Sequence, residues 1–550
     1  LLNDEFISEK ISSTDDYSLS YLGFIPGNQV QLISDNDQSE ERVKWVNDRI
    51  MFNGASLDWS KAYMKMPTKS DIINYEKIPV NNRPHIVFAK DPIFMKIRDM
   101  IDQAEHSIFI DIFLFGGTMG GTLAKYLIDE TIKKQRKNPK FHTILLHDFA
   151  TDYNMRPEML PVFYYIRDRI AGKTFVAGEQ KVPPGVVNLL QANIQRHTPG
   201  IPFGLSNLIE KNETTFPMIE KRSTYYESKI DHSKVIVIDG NTHRAQAYFG
   251  SKNWTDHSGS YYYDNAIWVK GPVANLVQYS YYDDIEAALT LDTEERKWFY
   301  FKDKGLSNEH YLDRRDEILN NFKVTLDKVR TAGSETVRIA EANVDGRIKD
   351  TRNMLIDMIL KAKSHIYMEQ LFIYDKYIND ALIKKLIQNP LLDVRILADH
   401  NGNFGMNGLP NTLFMKELKK YGVQLRARRT QTIPVTYPDG TQGKYHQENH
   451  RKIISVDGKV LLAGSSNMNP DTFQGSFREF GAQIFSNSEI TTFEKQFLRD
   501  WADEEKTMDL EIEGLQLVIG GKTLSPEASA LLNNIGAQLL RIKDDLEERY

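Results

Sequence analysis

The sequence predicts an α/β protein built from two duplicated α/β/α halves, each with a mixed, mostly parallel sheet, packed about a pseudo-twofold axis. Three observations predict it. A helix–strand–helix–strand pattern occurs twice, a His-x-Lys-x4-Asp-Gly segment occurs twice, and each such segment runs on into Gly-Ser-x-Asn. Strands that alternate with helices are joined by crossovers, which lay the strands parallel and cover the sheet with helices.

The first element is a strand at Gln29 to Ser34 within a polar, loop-rich stretch that also holds a short helical pattern at Glu40 to Met51. The first repeat then opens with apolar residues at helical spacing from Ile93 to Ala104. A strand of β-branched and aromatic residues follows, Ile108 to Phe113, and carries Asp111. The second repeat has the same helical pattern at Met354 to Ala362 and a strand from Ile366 to Leu371 with Glu369 at the matching offset. Helices at Thr122 to Lys133 and Ile378 to Ile387 come next, then short strands at Thr143 to Asp148 and Val394 to Asp399. Ile108 and Ile366 lie further apart than His232 and His450, so the first half carries extra residues. Pro183-Pro184-Gly185 and Pro199-Gly200 place them at about 150–225, as a lid, a binding loop or a surface decoration. The implied division is 1–83 an N-terminal extension, 84–301 the first half, 302–336 a charged connector, 337–510 the second half and 511–550 a tail. In that tail Leu532, Ile535, Leu539, Ile542 and Leu546 step along one helical face, which predicts an amphipathic helix packed on its own protein.

Composition narrows the chemistry. With 41% hydrophobic and 11% aromatic residues, 550 residues can bury a large core. The absence of cysteine excludes disulfides, thiolate metal sites and thiol nucleophiles. A net charge of -6 gives no global attraction to nucleic acid. No apolar run approaches the roughly 18 residues that span a bilayer. A chain that opens at Leu1 without Met reads as a processed or trimmed product. Localisation is open, with the cell envelope or secretion favoured.

In a strand, residues i and i+2 share a face, so His232 and Lys234 project together, as do His450 and Lys452. The residues of both motifs, with Asp239 and Asp457, form the candidate catalytic set. Asp239-Gly240 and Asp457-Gly458 also suit tight turns, so the two aspartates have a structural explanation beside the catalytic one. A neutral imidazole can attack phosphorus, and a protonated one can give its proton to the leaving oxygen. Lys234, Lys452, Asn253 and Asn467 are suited to hold the nonbridging oxygens as charge builds. Asp264 and Glu479, at matching places after the two asparagines, are the candidates to orient the histidines. A lysine between the histidine and the carboxylate disfavours a bound metal, so no metal and no cofactor are expected.

These paired motifs, their Gly-Ser-x-Asn continuations and the duplication resemble the phospholipase D superfamily over roughly residues 84 to 485. Gly464-Ser465-Ser466-Asn467-Met468-Asn469-Pro470-Asp471, Arg478-Glu479-Phe480-Gly481 and Asp264 to Pro272 are similar to the bacterial cardiolipin synthase branch. The resemblance implies that His232 is the nucleophile and His450 the general acid, then base. It also implies phosphate contacts from the two lysines and two asparagines. The chain departs from that branch where Asn469-Pro470-Asp471-Thr472 replaces Asp-Pro-Arg-Ser, and where Asp264 stands in place of a longer glutamate.

A phospholipid substrate is expected, with hydrolysis or transfer of its phosphatidyl group and peripheral membrane contact. Trp298 to Phe301, flanked by Arg296, Lys297, Lys302 and Lys304, suits an interface. Tyr261 to Tyr263 and Tyr279 to Tyr282 read as packing or a lipid-facing rim. A metal-independent nuclease is the alternative, with Lys416, Lys419, Lys420, Arg426, Arg428 and Arg429 as its basic cluster, although specific nucleic-acid binding is not expected. A non-catalytic binding protein is the third and weakest reading.

Overall fold

The computed structural model describes residues 23–35, 91–147, 156–175, 178–191, 230–255, 258, 262–290, 315–342, 350–399, 411–430, 432–436, 442–473, 477–510 and scattered positions from 518 to 539. The first half contains β1 (Ile25–Ser34), α1 (Pro92–Gln103), β2 (Ser107–Ile112), α2 (Gly117–Lys137), β3 (His142–His147), α3 (Arg156–Ile170) and β4 (Val187–Gln191). It continues through β5 (Ile230–Asp231), β6 (Lys234–Ile238), β7 (Gln246–Gly250), β8 (Asn265–Lys270), α4 (Pro272–Thr290) and α5 (Arg315–Phe322). The second half contains β9 (Glu335–Ala342), α6 (Asp350–Lys361), β10 (His365–Gln370), α7 (Lys376–Gln388), β11 (Asp393–Asp399), α8 (Thr412–Lys420) and β12 (Gln424–Arg428). After the hairpin of β13 (Thr432–Thr436) and β14 (Gln442–His446) come β15 (Lys452–Val456), β16 (Val460–Gly464), α9 (Pro470–Phe473), β17 (Phe477–Ile484), α10 (Asn487–Ala502) and β18 (Thr507–Asp509).

The strands of both halves join in one sheet, ordered β18-β12-β11-β10-β15-β16-β17-β9-β1-β8-β7-β6-β2-β3-β4. Outward from the central pair β1 and β9, both sides run through the same order and the same directions. An antiparallel meander comes first, and the two strands of the αβ crossovers continue it in parallel. The sheet is therefore mixed with antiparallel pairs in the majority, which corrects the expected mostly parallel sheets. Only the crossovers force parallel pairing, and the motif strands are hairpins. The boundary expected at residue 83 also shifts, because β1 pairs with both β8 and β9 and so completes the sheet. Within the expected insertion at 150–225, α3 and β4 belong to the scaffold. Residues 171–175 and 178–186 connect them, whereas 192–225, the pattern at Glu40 to Met51 and the Trp298 to Phe301 stretch lie outside the described residues.

Alternation along each strand explains the layers. Ile108, Ile110 and Ile112 of β2 meet α1, α2 and α3, whereas Phe109 faces the other way. Ile366 and Met368 of β10 likewise meet α6, α7 and α8, with Tyr367 opposite. The opposite faces share one cluster, filled by Val273 to Leu289 of α4 and by Ile490, Phe493, Phe497 and Trp501 of α10. Both faces of β6 and β15 are covered, so their end positions are set within a packed core.

Candidate active site

Each histidine sits just before a motif strand and is tied to the other half by its own backbone. His232 N–H donates to the Arg478 carbonyl at 2.9 Å, beside the short parallel pairing of β5 with the start of β17. His450 N–H donates to the Tyr263 carbonyl at 2.9 Å, beside a bridge between Tyr263 and Asn449. Arg478 and Tyr263 each immediately precede one of the two candidate orienting acids. The Gly of each Gly-Ser-x-Asn segment permits this closeness. A Cβ on Gly250 would lie 2.4 Å from the Asn265 carbonyl oxygen, and one on Gly464 2.5 Å from that of Phe480.

The side chains then cross between halves. His232 Nδ1 lies 2.9 Å from Glu479 Oε1, and His450 Nδ1 lies 2.8 Å from Asp264 Oδ1. A carboxylate accepts, so each imidazole carries its proton on Nδ1 and presents Nε2 for chemistry. The serines of Gly-Ser-x-Asn back up the acids. Ser251 Oγ donates to Asp264 Oδ1 at 2.6 Å, and Ser465 Oγ donates to Glu479 Oε2. Both rings also rest against aromatic walls, His232 against Phe113 and Phe477 and His450 against Tyr262.

Lys234 and Lys452 bend back, their Nζ atoms donating to the carbonyls of His232 at 2.5 Å and of His450 at 2.6 Å. Burial is the main electrostatic force here. It lowers His232 to about 4 and His450 to about 3, with Lys234 and Lys452 each adding a push on both rings and the orienting acids opposing it. Burial also lowers Lys234 to about 7 and Lys452 to about 8. Lys452 depresses Lys234, so the ammonium groups from the two halves act on one space. Asn253 and Asn467 follow β7 and β16, and their buried Oδ1 atoms have no protein partner among the described residues. Two imidazoles and two ammonium groups thus act on one another across the halves in a largely dehydrated site.

The aspartates of the two motifs stand elsewhere, which corrects their place in the catalytic set. Asp239 accepts from the backbone N–H groups of Glu105, His106 and Ser107, and Asp457 from those of Lys363, Ser364 and His365. Each closes the far end of its motif strand against the loop that enters β2 or β10. Five residues of strand separate Asp239 from Lys234, about 17 Å at the usual rise. Both adopt positive φ, 53° and 55°, which Asp tolerates better than most side chains. The Asp457-Gly458 turn is tight, Val456 pairing with Val460, whereas Ile238 rejoins Gln246 only after a longer loop.

Other sequence candidates disperse. Arg428 is buried between Glu369 at 2.7 Å and Asp500 at 2.9 Å, so it belongs to the core and not to a basic surface. Tyr262, Tyr263 and Tyr281 are buried, and Tyr279 alone of these is well exposed. Leu532, Ile535 and Leu539 are exposed, unlike the packed helix expected there. Asn469 is a local cap, its Oδ1 accepting from the Thr472 N–H at 3.2 Å at the start of α9.

Several site residues carry no sequence signal. Lys252, the variable position of Gly-Ser-x-Asn, is an ion-pair partner of Asp264, Asp35 and Asp91. Arg451, the variable position of the second motif, spans Glu369 at 2.9 Å and the Asp35 carbonyl at 2.8 Å. The serines were visible as repeated letters, without an assigned contact.

Residues 355–501 match a family model described as a cardiolipin synthase, phospholipase D-like domain. Cardiolipin synthase 2 of Bacillus anthracis is 29% identical over 161 residues, which is 28% of this chain and 29% of that protein. A cardiolipin synthase of Alkalihalophilus pseudofirmus is 24% identical over 277 residues, 49% of this chain and 46% of the relative. The match thus spans between under a third and about half the length of these curated relatives. Among solved structures, the phosphatidylserine synthase of Haemophilus influenzae Rd KW20 aligns over 82% of this chain and 92% of its own, with 14% identity and a TM-score of 0.48.

Proposed function

We propose that this chain is an enzyme of the phospholipase D superfamily that acts on phospholipid phosphodiesters through a covalent phosphohistidine, passing the phosphatidyl group to an alcohol in the manner of a cardiolipin synthase. The observation that carries this reading is the reciprocal pairing of His232 with Glu479 and His450 with Asp264, which makes each half incomplete without the other. Relatives named as cardiolipin synthases support transfer over hydrolysis.

The first step forms a bond between His232 Nε2 and phosphorus as the bond to the head-group oxygen breaks. The electron pair of the broken bond stays on oxygen, which takes the proton from His450 Nε2. In the second step His450 removes the proton of the acceptor hydroxyl, the acceptor oxygen attacks phosphorus, and the N–P electrons return to His232. Lys234, Lys452, Asn253 and Asn467 hold the nonbridging oxygens in both steps, and no metal is required. The negative charge of the bound phosphodiester offsets the two ammonium groups and allows His450 to hold the proton it must give.

Mixed phosphatidylglycerol and phosphatidylethanolamine vesicles test the reading, with single-stranded DNA as a parallel substrate. We expect cardiolipin and released glycerol, undiminished by a chelator and absent with His232→Ala or His450→Ala, both of which remain folded. Phosphatidic acid alone would assign hydrolysis instead. Cut DNA with untouched lipid, or loss of turnover on chelation, would overturn the proposal.

A further inference from the structure

The two relays, Ser251 to Asp264 to His450 and Ser465 to Glu479 to His232, differ at the position after each serine. There the first half has Lys252, and the second has Ser466, whose hydroxyl lies 3.5 Å from that of Thr351. Lys252 is fully buried. Its ammonium lies 3.7 Å from Asp264 Oδ2, 2.9 Å from Asp91 Oδ2 and 3.3 Å from Asp35 Oδ2. Asp35 follows β1, and Asp91 caps α1 through its other oxygen. Among the described residues no lysine or arginine lies within ion-pair distance of Glu479.

Three aspartates surround this one buried ammonium. Of the three, Asp264 leads to the chemistry, because His450 and Lys252 share its carboxylate. Burial raises that carboxyl, yet His450, Lys252 and Ser251 together hold it well below the usual carboxylate range. Its charge is therefore divided at ion-pair distance, whereas Lys234 and Lys452 act on Glu479, as they do on Asp264, only from further away.

Resting on the phosphoryl-transfer reading above, we propose that Lys252 is a positioning residue that, through Asp264, makes His450 the proton donor and leaves His232 the nucleophile. An imidazolium backed by a divided carboxylate surrenders its Nε2 proton more readily to the departing oxygen. An imidazole backed by an undivided one is the better electron-pair donor. Two histidines in matching local sequence are thereby given different tasks by one asymmetric charge. The charged and titratable groups acting on this pair include Lys452 and Lys234 on His450, Tyr262 against its ring, Lys252 on Asp264, Asp35 and Asp91 on Lys252, and Asp264, Glu479, Glu448 and Asp399 on Lys452.

The test compares pH–rate profiles of Lys252→Met, Asp91→Asn and the wild type on an alkyl and a p-nitrophenyl ester of phosphatidic acid. Only the alkyl leaving group needs a proton, so its alkaline limb reports His450, and the p-nitrophenyl profile controls for lysine titration. Removing the lysine charge should move that limb up by about one unit, and removing one carboxylate should move it down, with the p-nitrophenyl profile unmoved. Asp91→Asn keeps the oxygen that caps α1, so it decides the matter by its own shift if Lys252→Met does not fold. Limbs that stay in place, or equal changes on both esters, would overturn the role of Lys252. A wild type that turns over neither ester would remove the phosphoryl-transfer reading, and this inference with it.

Discussion

His232 near 4 and His450 near 3 are both uncharged at pH 7, yet the in-line transfer proposed here needs one imidazole bare and the other protonated. The missing proton has to arrive with the substrate. Lys234 and Lys452 help to hold His450 down, and an anion seated between them would cancel that push, which links the protonation of His450 to the proposed phosphate binding. Calorimetric titration with inorganic phosphate at pH 7, repeated in buffers of different ionisation enthalpy, should show uptake on the order of one proton per site. Lysines held near 7 and 8 will contribute to that uptake. The His450→Gln variant separates the sources, because its uptake should fall below that of the wild type. Equal uptake in both proteins would assign the whole proton to the lysines and leave His450 without one to donate.

At the scale of elements, the two halves use matching positions differently. Glu369 of β10 holds Arg428 from β12 and Arg451 from the second motif, and α10 adds Asp500 to the same buried group. Asp111, at the matching place in β2, meets no arginine from the first motif, because Ser233 stands where Arg451 does. Burial and the neighbouring Asp231 push its carboxyl far above the usual range. Glu369→Gln should therefore leave two buried guanidinium groups sharing Asp500 and cost about 3 to 5 kcal/mol in urea unfolding. A loss under about 1 kcal/mol, the size of an exposed pair, would show that the network is solvated. The strands and helices of both repeats were legible because their signal is local, as apolar periodicity in β2, β10, α1 and α6. The matching Asp264 and Glu479 were legible as letters, but their exchange across the halves is a property of sheet order. That β1 fills a place equivalent to β9 could not be read from Gln29 to Ser34, which pairs only with strands far away in sequence. Lys252 and Arg451 were hidden for a related reason, since they occupy the variable positions of their motifs and find their partners over long range.

For the whole molecule, burying two neutral histidines at the junction of the halves makes stability depend on acid in a definite direction. Each imidazole has a folded value below its ordinary 6.5, so the unfolded chain binds more protons between that value and about 4 for His232 or 3 for His450. Their contribution is complete above 6.5 and is lost progressively as the pH falls through that window. Asp350, raised to about 8, and Asp375, raised to about 6, act with the opposite sign, because each holds its proton in the folded state where the unfolded chain has released it. The wild-type melting curve therefore mixes terms that partly cancel, and only a difference between proteins isolates the histidines. His232→Gln and His450→Gln each keep a polar side chain and cannot titrate. Between pH 7 and pH 4 the melting temperature of each variant should fall less steeply than that of the wild type, with the curves converging toward the acid end. Parallel curves across that range would mean that the rings exchange protons with solvent as freely in the folded protein as in the unfolded chain. A buried pair shared between two halves would then be the wrong description of this site.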